Sequence, residues 1–192
     1  MKVASISGSG TTAVGQMSFV DEPEGGLVLL NSTTLSGESQ VNFDSSLITS
    51  TYKIYEIYGR IFHSASNTNI RINLSTNNGT SFFASSVVRH SLYTRGSTTQ
   101  YQGNESLTYI QLMNFLISQS TTVPVGFKIT LFDPNGTAFK SFMVEINYYD
   151  GSRYAHGYVG GSITASAQIN YLRFYTTSGN FASGFIKLYG RK

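Results

Sequence analysis

The residues of this chain whose types could do chemistry are three histidines, ten carboxylates and thirteen tyrosines. Their spacing argues against most of that chemistry. His63, His90 and His156 are far apart, and no HExxH, GxSxG or P-loop run accompanies them. A triad or metal site would have to be assembled from distant segments, and isolated histidines are expected as exposed or hydrogen-bonded structural groups. The carboxylates are Asp21, Glu22, Glu24, Glu38, Asp44, Glu56, Glu105, Asp133, Glu145 and Asp150. A glycosidase needs two of them about 5–10 Å apart across the scissile bond. Asp133 and Asp150 sit in turn sequences, where Asp serves the backbone, and Asp21, Glu22 and Glu24 fall in a linker-like stretch. Few candidates remain. Asp133-Pro134-Asn135-Gly136 lacks the alternating ligands of a calcium loop. The chain has no cysteine, so disulfides and thiolate metal sites are excluded. We therefore expect no catalytic residue, no metal and no cofactor.

Tyrosine is the informative type, with no Trp beside it. Clusters fall at Tyr52, Tyr55 and Tyr58, at Tyr148, Tyr149, Tyr154 and Tyr158, and at Tyr171, Tyr175 and Tyr189. Tyr joins a flat apolar face to a polar tip, which suits subunit interfaces and sugar rings. It is also a good strand former, so core and contact roles both stay open. The contact candidates are Tyr52, Tyr55, Tyr58, Tyr149, Tyr154 and Tyr158.

What positions these residues is a β framework. At 192 residues one domain is the default, and 40% hydrophobic residues can build its core. Charged residues are only 12%, about half the usual share. Such a surface meets copies of itself, or sugars, without strong charge repulsion. The net charge of +3 is scattered, with no basic run, so no nucleic-acid partner is expected. No stretch approaches the length of an apolar membrane span. The first eight residues lack the apolar region of a signal peptide. Asn-x-Ser/Thr triplets such as Asn78-Gly79-Thr80 arise by chance in so polar a chain.

Residues 1–26 are rich in Gly, Ser and Thr and read as an extended N-terminal arm, ending in Asp21-Glu22-Pro23-Glu24-Gly25-Gly26. Residues 27–192 read as one β domain. Asn69–Ser75 alternates polar and apolar, followed by Asn77-Asn78-Gly79 as a tight hairpin turn and by Phe82 and Phe83 opening the next segment. Tyr52–Phe62 has apolar residues at both parities and reads as a central strand. Val125–Phe132, a turn at Asp133-Pro134-Asn135-Gly136 and Phe139–Tyr149 read as a hairpin, with Lys140, Phe142, Val144, Ile146 and Tyr148 on one side. Asp150-Gly151 turns again. Ile169–Tyr175 is expected to pair with Phe181–Tyr189. Ser106–Ser118 is the one stretch with a helical pattern, and we read it as a strand with a bend. Many strands joined by Gly and Asn turns give an all-β, antiparallel β-sandwich, best fitted by a jelly-roll-like arrangement.

Two segments carry a resemblance. Phe43–Ile57 ends in Tyr52-x-x-Tyr55-x-Ile57 and is followed by Ile70–Phe82, a strand, Ser75-Thr76-Asn77-Asn78-Gly79 and an aromatic. This resembles a recurring opening of bacteriophage virion proteins. Ile169–Tyr175 with Ser178–Gly190 is similar to their closing hairpin. Together these stretches cover about a third of the chain, and no binding residue transfers with them. The resemblance implies a virion module, commonly trimeric, made in the host cytoplasm and released by lysis. The leading expectation is a non-enzymatic capsid decoration or cement protein that contacts its own copies and the major capsid protein through its arm and Tyr-rich face. The alternative is a tail-fibre or receptor-binding module for host surface glycan. A polysaccharide-degrading enzyme is the third reading, disfavoured because such virion enzymes are usually longer and repetitive. Open edge strands invite pairing, so an oligomer that covers them is expected.

Overall fold

The computed structural model describes residues 26–113, 117 and 122–192. Among them there are twelve strands and no helix. All strand pairings are antiparallel, and the strands form two sheets packed together. Most of the arm read at residues 1–26 lies outside the described residues.

The first four strands are β1 (Val28–Leu35), β2 (Gln40–Phe43), β3 (Ile54–His63) and β4 (Ile70–Ser75). Then come β5 (Val87–Arg95), β6 (Thr98–Leu107), the short β7 (Ile110–Gln111) and β8 (Val125–Phe132). The last are β9 (Lys140–Tyr149), β10 (Tyr154–Ile163), β11 (Tyr171–Thr176) and β12 (Phe181–Arg191). The larger sheet has the order β1-β12-β3-β8-β9-β10-β5-β6, and the smaller has β2-β11-β4-β7. Along β1 to β4 and again at β11 and β12, successive strands alternate between the two sheets.

Period-two burial drives this packing. In β9 the inward residues Lys140, Phe142, Val144, Ile146 and Tyr148 are all buried, as the sequence pattern requires. Tyr55, Ile57 and Ile61 of β3 meet the core from the middle of the large sheet, and Phe43 and Phe174 face them from the small one. Phe43 and Phe174 pack edge to face at 5.7 Å, and Phe174 stacks on Phe127 at 6.3 Å. Phe127 lies flat against β3 because residue 59 is glycine: a Cβ there would sit 2.1 Å from the ring. Lys140 is a buried cation. Its ammonium donates to the carbonyls of Ala165 (2.9 Å) and Ala167 (2.7 Å), and burial pulls its pKa down.

Several elements stand as the sequence reading placed them. Tyr52–Phe62 is central, flanked by β12 and β8. The β8–β9 hairpin turns at Asp133, with positive φ (44°), and Gly136 donates its N–H to the Asp133 carbonyl. The described part of Ser106–Ser118 is interrupted strand, ending β6 at Leu107 and forming β7 at Ile110, with Ile117 bridging Thr68.

Two expectations are corrected. Ile169–Tyr175 and Phe181–Tyr189 do not form a hairpin: β11 lies in the small sheet and β12 in the large one. Each strand has one apolar face, and Leu172 and Phe174 lie across the core from Ile186 and Leu188 instead of beside them. Asn77-Asn78-Gly79 is a tight turn, with positive φ at Asn78 and Gly79, but no strand follows directly. The N–H of Phe83 donates to the Leu74 carbonyl, and the chain then crosses to β5 in the other sheet.

Candidate functional site

The outward residues of the large sheet fall into transverse rows. One row reads Lys187, Tyr58, Lys128, Glu145, Tyr158, Leu92 and Tyr101, each facing the next across a strand pair. Its two ends differ. At the charged end, Glu56 of the neighbouring row is 5% exposed. It accepts from the Tyr58 hydroxyl at 2.5 Å and pairs with Lys128 at 2.9 Å, with Arg191 at 4.0 Å. Burial pushes the Glu56 carboxyl up, but the Tyr58 hydroxyl and the Lys128 ammonium outweigh it and hold it below its ordinary value. The same contact raises Lys128, and burial with the neighbouring carboxylate raises Tyr58. An ionised, buried and paired Glu56 has no proton to give as a general acid.

The other end is apolar and open. Tyr158 is 51% exposed, Leu92 47%, Tyr101 71% and Met143 58%. Around them His90 approaches the Tyr101 hydroxyl at 2.8 Å, and His156 packs edge-on against Tyr158 at 4.7 Å while bonding Asn147 at 2.8 Å. Gly103 leaves room for the His90–Tyr101 pair, since a Cβ there would lie 2.6 Å from the Tyr101 oxygen. Exposed apolar side chains grouped in this way mark interaction surfaces.

Beyond His156 the sheet ends in the Asp150–Arg153 turn. Asp150 accepts from the Arg95 guanidinium and from the N–H groups of Ser152 and Arg153, both at 2.9 Å. Burial opposes its ionisation, yet these donors hold its pKa well below the usual carboxylate range. Its role is to fix the turn, and thereby the Tyr149–Tyr154 ring pair at 5.3 Å. Thr94, Val123, Pro124, Asn147, Tyr154 and His156 line an open hollow of ≈ 500 Å³ beside it, with no carboxylate among its described lining residues.

The six candidate tyrosines therefore separate. Tyr58, Tyr149, Tyr154 and Tyr158 share the outer face of the large sheet. Tyr55 does not join them: it is fully buried, and its hydroxyl donates to the Thr49 carbonyl at 2.7 Å. Tyr52 packs on the core side, over Gly190 and against Tyr55. The sequence reading missed Leu92, Tyr101 and Met143. The signal was available for Met143, the apolar exception on the polar side of the alternating β9; β5 buries Arg89 and Ser91 and β6 is polar at both parities, so Leu92 and Tyr101 carried none.

The small sheet has a second open face of different chemistry. One row reads Gln40, Tyr175, Arg71 and Gln111, and the next Asn42, Arg173 and Asn73. Arg71 lies over the Tyr109 ring at 4.0 Å, and Arg173 over Phe82 at 4.0 Å, with Tyr175 at 5.4 Å. Phe82 in turn abuts Tyr171 at 6.2 Å. No outward strand residue of this sheet is acidic. Among the described residues, no group of three or more His, Asp or Glu is placed to hold a metal ion.

No family model, no curated protein and no solved structure matches the chain. The class that the geometry defines is an all-β, two-sheet protein with two open faces, one apolar and tyrosine-rich, one built from arginines stacked on rings.

Proposed function

We propose that this chain is a non-enzymatic virion structural protein that decorates a capsid, assembling as a homotrimer and contacting the major capsid protein. The observation that carries this reading is the exposed patch of Tyr158, Leu92, Tyr101 and Met143 on one half of the large sheet. We assign that patch to contact with a second copy of the chain. It is apolar at its centre, with Lys128 nearby already paired to Glu56 and Glu145 on its border, so in a ring it can meet apolar surface on the next copy with little repulsion. β6, the edge strand of the sheet among the described residues, lies next to it, which gives the contact a second reason to form. We also read the alternation of strands, β1-β12-β3-β8 against β2-β11-β4-β7, as a jelly-roll wrap that β9, β10, β5 and β6 extend on one side. The sequence resemblance to phage virion proteins supports the same assignment.

Mass photometry of the purified protein, alone and mixed with undecorated heads, tests it. A trimer that loads heads in fixed stoichiometry supports the proposal. The double variant Leu92→Glu, Tyr158→Glu is expected to be monomeric and folded. An oligomer unchanged by that variant removes the patch from the assembly, and a protein that ignores heads removes the decoration role.

A second reading is a tail-located module that binds host surface glycan. The specific observation in its favour is the small-sheet face, where rings, amides and guanidiniums lie side by side on a shallow surface.

A further inference from the structure

We infer that the outer face of the four-stranded sheet binds a carboxylate-bearing polysaccharide through the guanidiniums of Arg71 and Arg173. This deepens the glycan reading and rests on it.

The argument begins with pairing. On the large sheet Lys128 and Arg191 meet Glu56 and Arg95 meets Asp150, while Arg60 and Lys187 lie singly over Phe62 and Phe185. Arg71 and Arg173 meet no acidic partner among the described residues. A guanidinium offers five N–H donors in a planar fork. Arg71 uses its Nε on the Gln111 side-chain oxygen at 3.3 Å. The Nε of Arg173 is buried and has no partner among the described residues, and neither has the Oδ1 of its cross-strand neighbour Asn73. The two carboxylates that flank β2 are committed locally: Glu38 accepts from the N–H and hydroxyl of Ser36, and Asp44 from those of Ser46.

Geometry narrows the ligand. Arg71 faces Tyr175 and Arg173 faces Asn73, so the two arginines are diagonal neighbours, about 7–8 Å apart along the sheet. Ring stacking holds each guanidinium plane in place. A fork fixed in this way suits bidentate contact with a carboxylate. Gln40, Asn42 and Asn73 offer amides beside it, matched to sugar hydroxyls. A nucleic acid fits less well. Its affinity comes mainly from neutralising a run of phosphates, whereas the strand residues of this face supply two cations, and the rings a base would stack on are already covered by guanidinium.

The test uses the full chain in affinity electrophoresis and calorimetry against polygalacturonate, alginate, polysialic acid, neutral dextran and single-stranded DNA. Binding to at least one acidic polysaccharide, absent with dextran and weakened by salt, is expected. Arg71→Gln and Arg173→Gln should each weaken it at least tenfold, Arg173→Lys should restore only part of it, and Arg60→Gln on the opposite sheet should leave it unchanged. Equal binding to dextran overturns the acidic class and keeps the glycan reading. Tighter binding to DNA through the same arginines, or acidic binding indifferent to both Gln variants, overturns the assignment of this face. No binding to any polysaccharide overturns both readings. Unchanged melting temperatures of the variants exclude misfolding as the cause.

Discussion

Replacing Glu56 by Gln should destabilise the protein at neutral pH by about 1–2 kcal/mol. Gln keeps an acceptor for the Tyr58 hydroxyl, so the loss is confined to the charge that faces Lys128 at 2.9 Å and Arg191 at 4.0 Å. A charge-assisted hydrogen bond contributes roughly 1.5–3 kcal/mol when screened little. The Lys128 side chain is 40% exposed, so water recovers part of that when the partner is removed, which sets the lower figure. For a domain of this size each kcal/mol lowers Tm by about 2–4 °C. The sign with pH follows from linkage. The folded-state pKa of Glu56 lies below its unfolded value. Its contribution is therefore complete above the unfolded carboxylate pKa of about 4.3 and is lost as pH falls through the folded value. Urea unfolding of both proteins at about pH 7 and about pH 2.5 reads this directly. The gap should be present at the first pH and narrower at the second. Equal stability at neutral pH, or a gap that widens in acid, refutes the account of this network.

Two other perturbations probe the frame that holds the faces. Gly59→Ala places a methyl group 2.1 Å from the Phe127 ring, and the resulting overpacking should cost about 1–3 kcal/mol, measured as a drop in Tm. His63 is buried, its Nδ1 donates to the Ala65 carbonyl at 2.7 Å, and its Nε2 has no partner among the described residues. Burial lowers its pKa. The unfolded chain then takes up the proton first, so stability is complete above about pH 6.5 and falls as pH drops below it. His63→Gln should flatten that limb of the curve; a wild-type profile level from pH 7 to about pH 5 would remove His63 as its cause.

How much of this was legible depends on what alternation can specify. It fixes the face a residue points to, so the inward side of β9 and the outward side of β11 could be read from the sequence. The Asp133-Pro134-Asn135-Gly136 turn joins neighbours in the chain, and local chemistry sufficed for it. Alternation does not name the neighbouring strand. β1 pairs with β12 and β2 with β11, and nothing local in the sequence encodes contacts that distant. The misread pairing of β11 with β12 has this origin, since two adjacent amphipathic strands look the same whether they lie side by side or across a core. The tyrosines show the same limit and how to reduce it. Tyr55 and Tyr58 are three apart, hence on opposite faces of one strand, and only Tyr58 faces outward. Tyr154 and Tyr158 are four apart, share a face, and are 70% and 51% exposed. Grouping by parity instead of proximity would have kept Tyr55 out of the contact set.

The two open faces ask for different partners, and symmetry decides which of them meets a copy of itself. In a two-fold contact each face meets itself, and in a ring one face meets another. Arg71 and Arg173 set against their own copies would oppose unpaired like charges, which disfavours the contact. Set against the Leu92–Tyr158–Tyr101 patch they would be desolvated over its apolar centre, away from the Glu145 carboxylate on its border. The patch against apolar surface incurs neither cost. Self-association should therefore run through the large sheet and leave the arginine face free. Raising salt from about 0.1 M to about 1 M shortens the screening length from roughly 10 Å to 3 Å. Oligomer stability measured by mass photometry should be almost indifferent to that change, while retention of acidic polysaccharide should fall steeply. An oligomer that dissociates in high salt would mean that the arginines, not the tyrosine patch, hold the subunits together.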